Sequence, residues 1–447
     1  MNTLTRRRML KTAALASSAL AVPFVRGAHA AGKLACGFWD HWVPGANDTL
    51  SKLCREWADK EKVELSLDFI TSTGEKLRIT QAAEAQARSG HDVLPFGNWL
   101  PSNYAGQLEP VDDVVAPLIE QNGGVGKTVE YLGKTGGHWI VVPTCVGTQT
   151  KPPCARIDLM KQYAGLDITR MYPAEAPPND ELAENWTWDT FLAAAEKCAK
   201  AGYPFGMPLG TTSDSVDWVG AVFASHGANL VDEEGNITVK SDPVRQVLAW
   251  FQKLVPVLPP DVFAWDDAGN NKWLISGKGA LIMNPPSAWA VAKRDAPQIA
   301  EQLWTFPSPK GPKGRFEPTI PTYWGIWNFS ANKSAAKSLL SYLLQRSSVE
   351  QLVAASQGYD IPPYDKLRDF KIWAEQAPPK GTIYNYPPRS ADQILSIAGI
   401  PAPPKIAVQI YVQATMTKMI AQCTHENKSL DQAMDWAASE LEGFMRT

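Results

Sequence analysis

The chain has 447 residues, 45% of them hydrophobic, with 43 Lys+Arg against 46 Asp+Glu. That length favours two or more domains with ample core. An acidic balance without a basic stripe argues against nucleic acid as a partner, and no segment beyond the N-terminus has 18 uninterrupted apolar residues, as a membrane-spanning helix would need.

The first 30 residues read as an export leader. MNTLTRRRMLKTAALASSALAVPFVRGAHA has a basic cluster (Arg6, Arg7, Arg8 and Lys11), a mild apolar run from Thr12 to Val25, and Ala28-His29-Ala30 as a small-x-small cleavage site. TRRRMLK resembles the twin-arginine export signal, with Met9 where Phe is commoner. Ala31 rather than Cys follows the cut, so no lipid anchor is expected and the mature chain is expected to be a soluble periplasmic protein. Removing the leader takes away five positive charges and leaves 38 Lys+Arg against 46 Asp+Glu.

A short apolar strand then ends at Trp39-Asp40-His41-Trp42, followed by a loop with Pro44 and Gly45. Leu50, Leu53, Cys54, Trp57 and Ala58 recur at helical spacing, with Asn47, Asp48 or Thr49 available as cap. Val63, Leu65, Leu67 and Phe69 alternate as a strand does. Strand, helix, strand over so short a span predicts a right-handed parallel crossover, and ligands of such sheets bind beyond the carboxyl ends of the strands. The Trp39–Trp42 loop is therefore expected to line a site; alternatively its tryptophans simply cover the sheet end.

Further along, Asn122-GGVGKT-Val129 is no phosphate loop: Gln121 stands where the pattern needs Gly, and the preceding VDDVVAPLIEQ reads as a helix closed by glycines. Ser334-Ala-Ala-Lys337 lies at a helix start without the other motifs of a serine acyl enzyme. Asp232-Glu233-Glu234-Gly235-Asn236 lacks calcium-loop spacing and reads as a hairpin turn. The histidines are scattered singly, so neither metal nor cofactor is expected. Of the six cysteines, Cys198 and Cys423 fall on apolar helix faces, whereas Cys145 with Cys154, or Cys36 with Cys54, could pair in an oxidising compartment. In the last helix Leu430, Ala433, Met434, Ala437, Leu441 and Phe444 form a core stripe, and Ser429 with Gln432 forms a capping box. Trp250 and Phe251, mid-helix, read as core.

Eight stretches in order carry a resemblance: GHDVLPFGNW, YAGQLEPVDDVV, HWIVVPT, WTWDTFLAAAEKCAKAG, GANLVDEEGNITVKSDPVRQVLAWFQKL, SGKGALIMNPPSAW, GIWNFSANKSAAKSLLSYLL and GYDIPPYDKL. Together they resemble the extracellular solute-binding proteins of ABC importers, in the carbohydrate-binding group that includes maltose-binding protein. The resemblance implies an α/β fold of two lobes with two parallel-rich sheets, an interlobe cleft and a hinge. Lobe one would be 31–145 with 322–358, and lobe two 146–321 with 359–447. It also implies a monomer that delivers its ligand to an inner-membrane ABC permease. Thr322-Tyr323-Trp324 stands where family members often have small glycines at the hinge strand, which makes the ligand's size and shape an open matter.

Sugars present flat C–H faces and a rim of hydroxyls, so their sites combine aromatic planes with carboxylates and amides. The 17 tryptophans often fall where the resemblance puts cleft loops. The expected clamp comprises Trp39, Asp40, His41 and Trp42; Phe96, Asn98 and Trp99; Asp217 and Trp218; Trp265 and Asp266; Asn284 and Trp289; Tyr323 and Trp324; and Tyr359 and Asp360. Trp289 is expected to give the main stacking plane, because Asn284-Pro285-Pro286 ends a strand and Ser287 can cap the next helix. Two other functions fit the same residues. One is a glycan-cleaving enzyme drawing two acids from Asp40, Asp217 and Asp266; the other is a component that presents ligand to a membrane sensor.

Overall fold

Residues 32–173, 176, 178–284, 287–375 and 392–446 are described by a computed structural model. The leader and Pro285-Pro286 lie outside them. The strand Lys33–Trp39 feeds the helix Ala46–Glu61, which returns the chain to the strand Glu64–Ile70. These strands are parallel over seven pairs, from Lys33 opposite Glu64 to Trp39 opposite Ile70. The helix buries Leu50, Leu53, Cys54, Trp57 and Ala58, as its periodicity predicts. Its cap differs: Gly45, at φ 88°, precedes it without a side-chain bond. Asn47 instead turns back to the Trp39–Trp42 loop, donating to Asp40 at 2.7 Å and accepting from the His41 N–H at 3.1 Å.

The strand Val93–Gly97 joins the other side of Lys33–Trp39 in parallel. The long strand Gly314–Ile326 then lies antiparallel to both Val93–Gly97 and Val142–Thr150, giving a sheet of seven strands. A second sheet has three strands, with Pro153–Arg156 between Leu281–Met283 and Leu303–Thr305. It is antiparallel throughout rather than parallel-rich. Val142–Thr150 runs through Lys151-Pro152 straight into its centre, and the two flanking strands return against it.

Helices cover both sheets, and the core of the helix-rich second half continues into the larger sheet through Leu94, Phe96 and Tyr323. Trp57, Trp324, Leu339 and Leu352 belong to the core of the larger sheet. Trp186, Trp188, Phe191, Trp218 and Phe251 dominate that of the helix-rich second half. The other readings along the chain hold locally. Asp112–Asn122 is a helix ended by Gly123 at φ 84°, Asp232–Asn236 is a turn closed by the Val231–Ile237 bridge, and Ser429 with Gln432 forms the capping box.

All six cysteines are free and buried, so neither of the two possible disulfides is present. Burial pushes the Cys154 thiol up to about 12, and that of Cys36 is raised for the same reason first. Such thiols are poor nucleophiles and inert to exchange. Thiol titration of the denatured mature protein should therefore find all six cysteines reduced. Reductant should leave its melting temperature unchanged; a drop on reduction would contradict this.

Candidate ligand-binding cleft

Two segments connect the sheets side by side. Val142–Thr150 leads into Lys151, and Gly314–Ile326 returns, pairing Ile320 with Gln149 and Thr322 with Thr144 across an irregularity in register. The turn at Tyr359-Asp360 locks onto both the first segment and the opening loop. Ile361 N–H donates to Thr148 O at 2.9 Å, and Gly147 N–H donates to Asp360 Oδ1 at 2.8 Å. Gly147 has to be glycine: its φ is +84°, and a Cβ there would lie 3.2 Å from both Thr322 and Trp39.

A cavity of about 130 Å³ opens where these connections meet the ends of the strands. Trp39, Trp42, Pro95, Phe96 and Tyr359 give it an apolar wall, with Gln149, Lys151, Ile320 and Thr322 along the connecting strands. The opposite wall is polar: Ser213, Asp214, Asp267, Asn271, Asn284 and Ser287. Its groups hold one another in place. Asn271 donates to Ser287 Oγ at 3.1 Å, Ser287 donates to Asn284 Oδ1 at 3.2 Å, and Asn270 donates to Asp214 at 3.0 Å.

Charge is concentrated at Lys151, which is 2% exposed and donates from Nζ to both Asp214 and Asp217 at 2.6 Å. Burial alone would lower its pKa, but the carboxylates of Asp214, Asp217 and Asp267 outweigh burial and hold it raised. Tyr411 extends the network to the larger sheet, donating to Asp217 at 3.0 Å and accepting from Asn98 at 2.9 Å. The Asp267 carboxyl is pushed up to about 7, first by burial and next by Asp214, with Lys151 opposing.

The expected site residues divide in three. Trp39, Trp42, Phe96, Asn284 and Tyr359 line the cavity. Asn98 sits in an adjoining recess with Tyr411 and Asp267. A second group props the cavity from behind. His41 accepts from Val43 N–H through Nδ1 at 2.9 Å, which leaves Nε2 facing Asp360 at 3.1 Å. That buried pair, with the His41 ring 4.7 Å from Trp39 and 4.8 Å from Tyr359, fixes the aromatic wall. Asp217 does the same for Lys151.

The remainder are corrected by the structure. Trp99, Trp218, Tyr323 and Trp324 are core residues. Three of them spend their polar atoms on backbone carbonyls: Trp99 on Ala398, Trp218 on Pro208 and Tyr323 on Val129. Trp324 packs on Phe38 at 5.5 Å. Trp289 is fully buried with Lys293 over its ring at 4.8 Å, so its helix turns the indole inward and Ser287 toward the cavity. Ser287 is also the first helical residue and bonds Asn284. Asp40 is exposed beside Asn47, Trp265 packs on Trp273 at 5.6 Å, and Asp266 turns back onto the Ala268 N–H at 3.1 Å. The three carboxylates of the glycan-cleaving reading thus have three separate partners. Lys151, Asp214, Asp267, Gln149 and Asn271 were not foreseen; Asp267 is next to the expected Asp266 and points the other way.

The description of bacterial extracellular solute-binding proteins matches residues 45–349, and the chain belongs to that family. Solved structures share its two-lobed fold at low sequence identity. Maltose-bound MalE3 of T. maritima has TM-score 0.72 at 18% identity, covering 92% of this chain and 99% of that one. The GacH receptor of Streptomyces glaucescens, solved unliganded and with acarbose, has 0.68 at 18%, covering 92% and 98%. A sugar transporter protein of Arthrobacter chlorophenolicus A6 with bound laminaribiose has 0.70 at 14%, covering 92% and 99%. No curated protein sequence matches the chain.

The charge cluster makes a signed prediction. An Asp ionises near 3.9 when unfolded, and Asp267 is raised in the fold. Its contribution is fully favourable only below the unfolded value and is lost as pH rises through about 7. Asp267→Asn should therefore stabilise the unliganded protein more on the alkaline side of neutrality than in mild acid. Denaturant midpoints across that range check this, and an equal effect at both ends would contradict it.

Proposed function

We propose that the protein is the periplasmic substrate-binding component of an ABC importer, capturing a carbohydrate or polyol between its lobes and delivering it to the inner-membrane permease. The observation that carries this reading is a cavity with an aromatic wall facing a wall of amides, hydroxyls and carboxylates. That division suits a sugar's C–H face and hydroxyl rim. The sugars named for similar structures agree with it.

In this reading the lobes are 31–145 with 322–358 and 146–321 with 359–447, joined at Gly147–Lys151, Ile320–Thr322 and Tyr359-Asp360. Ligand touching both walls favours the closed arrangement by its differential affinity. The chain acts as a monomer without enzymatic activity, exported through the twin-arginine route from its Arg6-Arg7 pair and carrying no lipid. A carbohydrate and polyol library screened by thermal shift on the mature protein tests the reading. A true ligand at about 100 times its dissociation constant adds about 2.7 kcal/mol of stability. No shift with any carbohydrate or polyol would overturn it.

A further inference from the structure

Resting on the carbohydrate reading, we infer that the ligand is an amino sugar, whose ammonium group enters the polar wall between Asp267 and Asp214. The charge count is the first observation. Three carboxylates, Asp214, Asp217 and Asp267, gather round a single buried ammonium, that of Lys151. Its two short bonds go to Asp214 and Asp217, whereas the donors to Asp267 are uncharged: Asp214 N at 3.2 Å, Ser213 Oγ at 3.3 Å and the Thr212 side chain. Glu75 and Arg78, which line the adjoining recess, pair with each other. Among the described residues this cluster therefore carries more negative than positive charge, and Asp217 and Asp267 respond as buried carboxylates in that position do, both raised, first by burial.

The second observation is independent of charge. Gln149 lines the same cavity, is 7% exposed, and its Oε1 has no hydrogen-bond partner among the described residues. A buried acceptor left without a donor is costly, and an ammonium or hydroxyl of a bound ligand would satisfy it. The facing wall completes the recognition. Trp39 and Trp42 offer π-faces, which attract a cation as well as the apolar face of a pyranose. A neutral sugar would leave the third carboxylate uncompensated; a free carboxylate-bearing sugar would be repelled.

The test is a titration of the wild-type mature protein near neutral pH with matched sets. Glucosamine, galactosamine and mannosamine are each compared with the parent hexose and the N-acetyl derivative. The expected result is that at least one amino sugar binds about tenfold or more tighter than both of its uncharged counterparts. Asp267→Asn should bring that ratio toward one, while circular dichroism confirms the fold. Neutral members binding as tightly as the amino sugars would overturn the inference and leave the carbohydrate reading standing. Binding by no sugar of either kind, or by choline or a polyamine alone, would overturn both. An unchanged ratio in Asp267→Asn would also count against the inference.

Discussion

The buried ammonium of Lys151, shared between Asp214 and Asp217 at 2.6 Å each, joins the parts of the site. It sits at the last step of one connecting strand, and both carboxylates come from the first turn and a half of the helix Ser213–His226. Removing one partner of such a buried pair costs about 3–5 kcal/mol, because the other charge is left without compensation. The helix is thereby pinned to the point where the chain passes between sheets. Asp217 then holds Tyr411, and Tyr411 holds Asn98 at the end of Val93–Gly97.

The aromatic wall depends on a second buried contact of similar kind. Asp360 accepts from Gly147 N–H and faces His41, so one carboxylate fixes a connecting strand, the opening loop and the closing turn together. Trp39 and Tyr359 are held by that knot rather than by ligand. A site whose side chains are set by surrounding packing loses little entropy on binding, which suits a member of a solute-binding family.

Much of this was legible in the sequence where one periodicity governs. The Ala46–Glu61 helix, the parallel pair it connects and the capping box at Ser429 all follow from local patterns. The end of the first strand also brings the opening loop to the cavity, which Trp39 and Trp42 line. What failed was the direction of individual side chains. Trp99, Trp218 and Trp289 stand at the same kinds of loop and helix start as Trp39 and Trp42, yet each turns into the core. A tryptophan's bulk is favoured inside and its indole N–H can be satisfied by a backbone carbonyl, so residue type cannot tell the two fates apart. By the same limit the sequence points to Asp266, whereas its neighbour Asp267 is the one that lines the cavity. Lys151 was invisible for another reason: a lone lysine after a strand ordinarily faces solvent, and only the fold brings its carboxylate partners from 63 and 66 residues away.

The central claim is that ligand is held between the Trp39–Trp42 wall and the Asp214–Asp267 wall. Calorimetric titration of Trp42→Ala with the carbohydrate that gives the largest thermal shift tests it most directly, since Trp42 is only partly buried and lines the cavity. Loss of an aromatic anchor of about 2 kcal/mol predicts affinity weaker by tenfold or more, with the unliganded melting temperature nearly unchanged. Wild-type affinity in that variant would contradict the placement of the site.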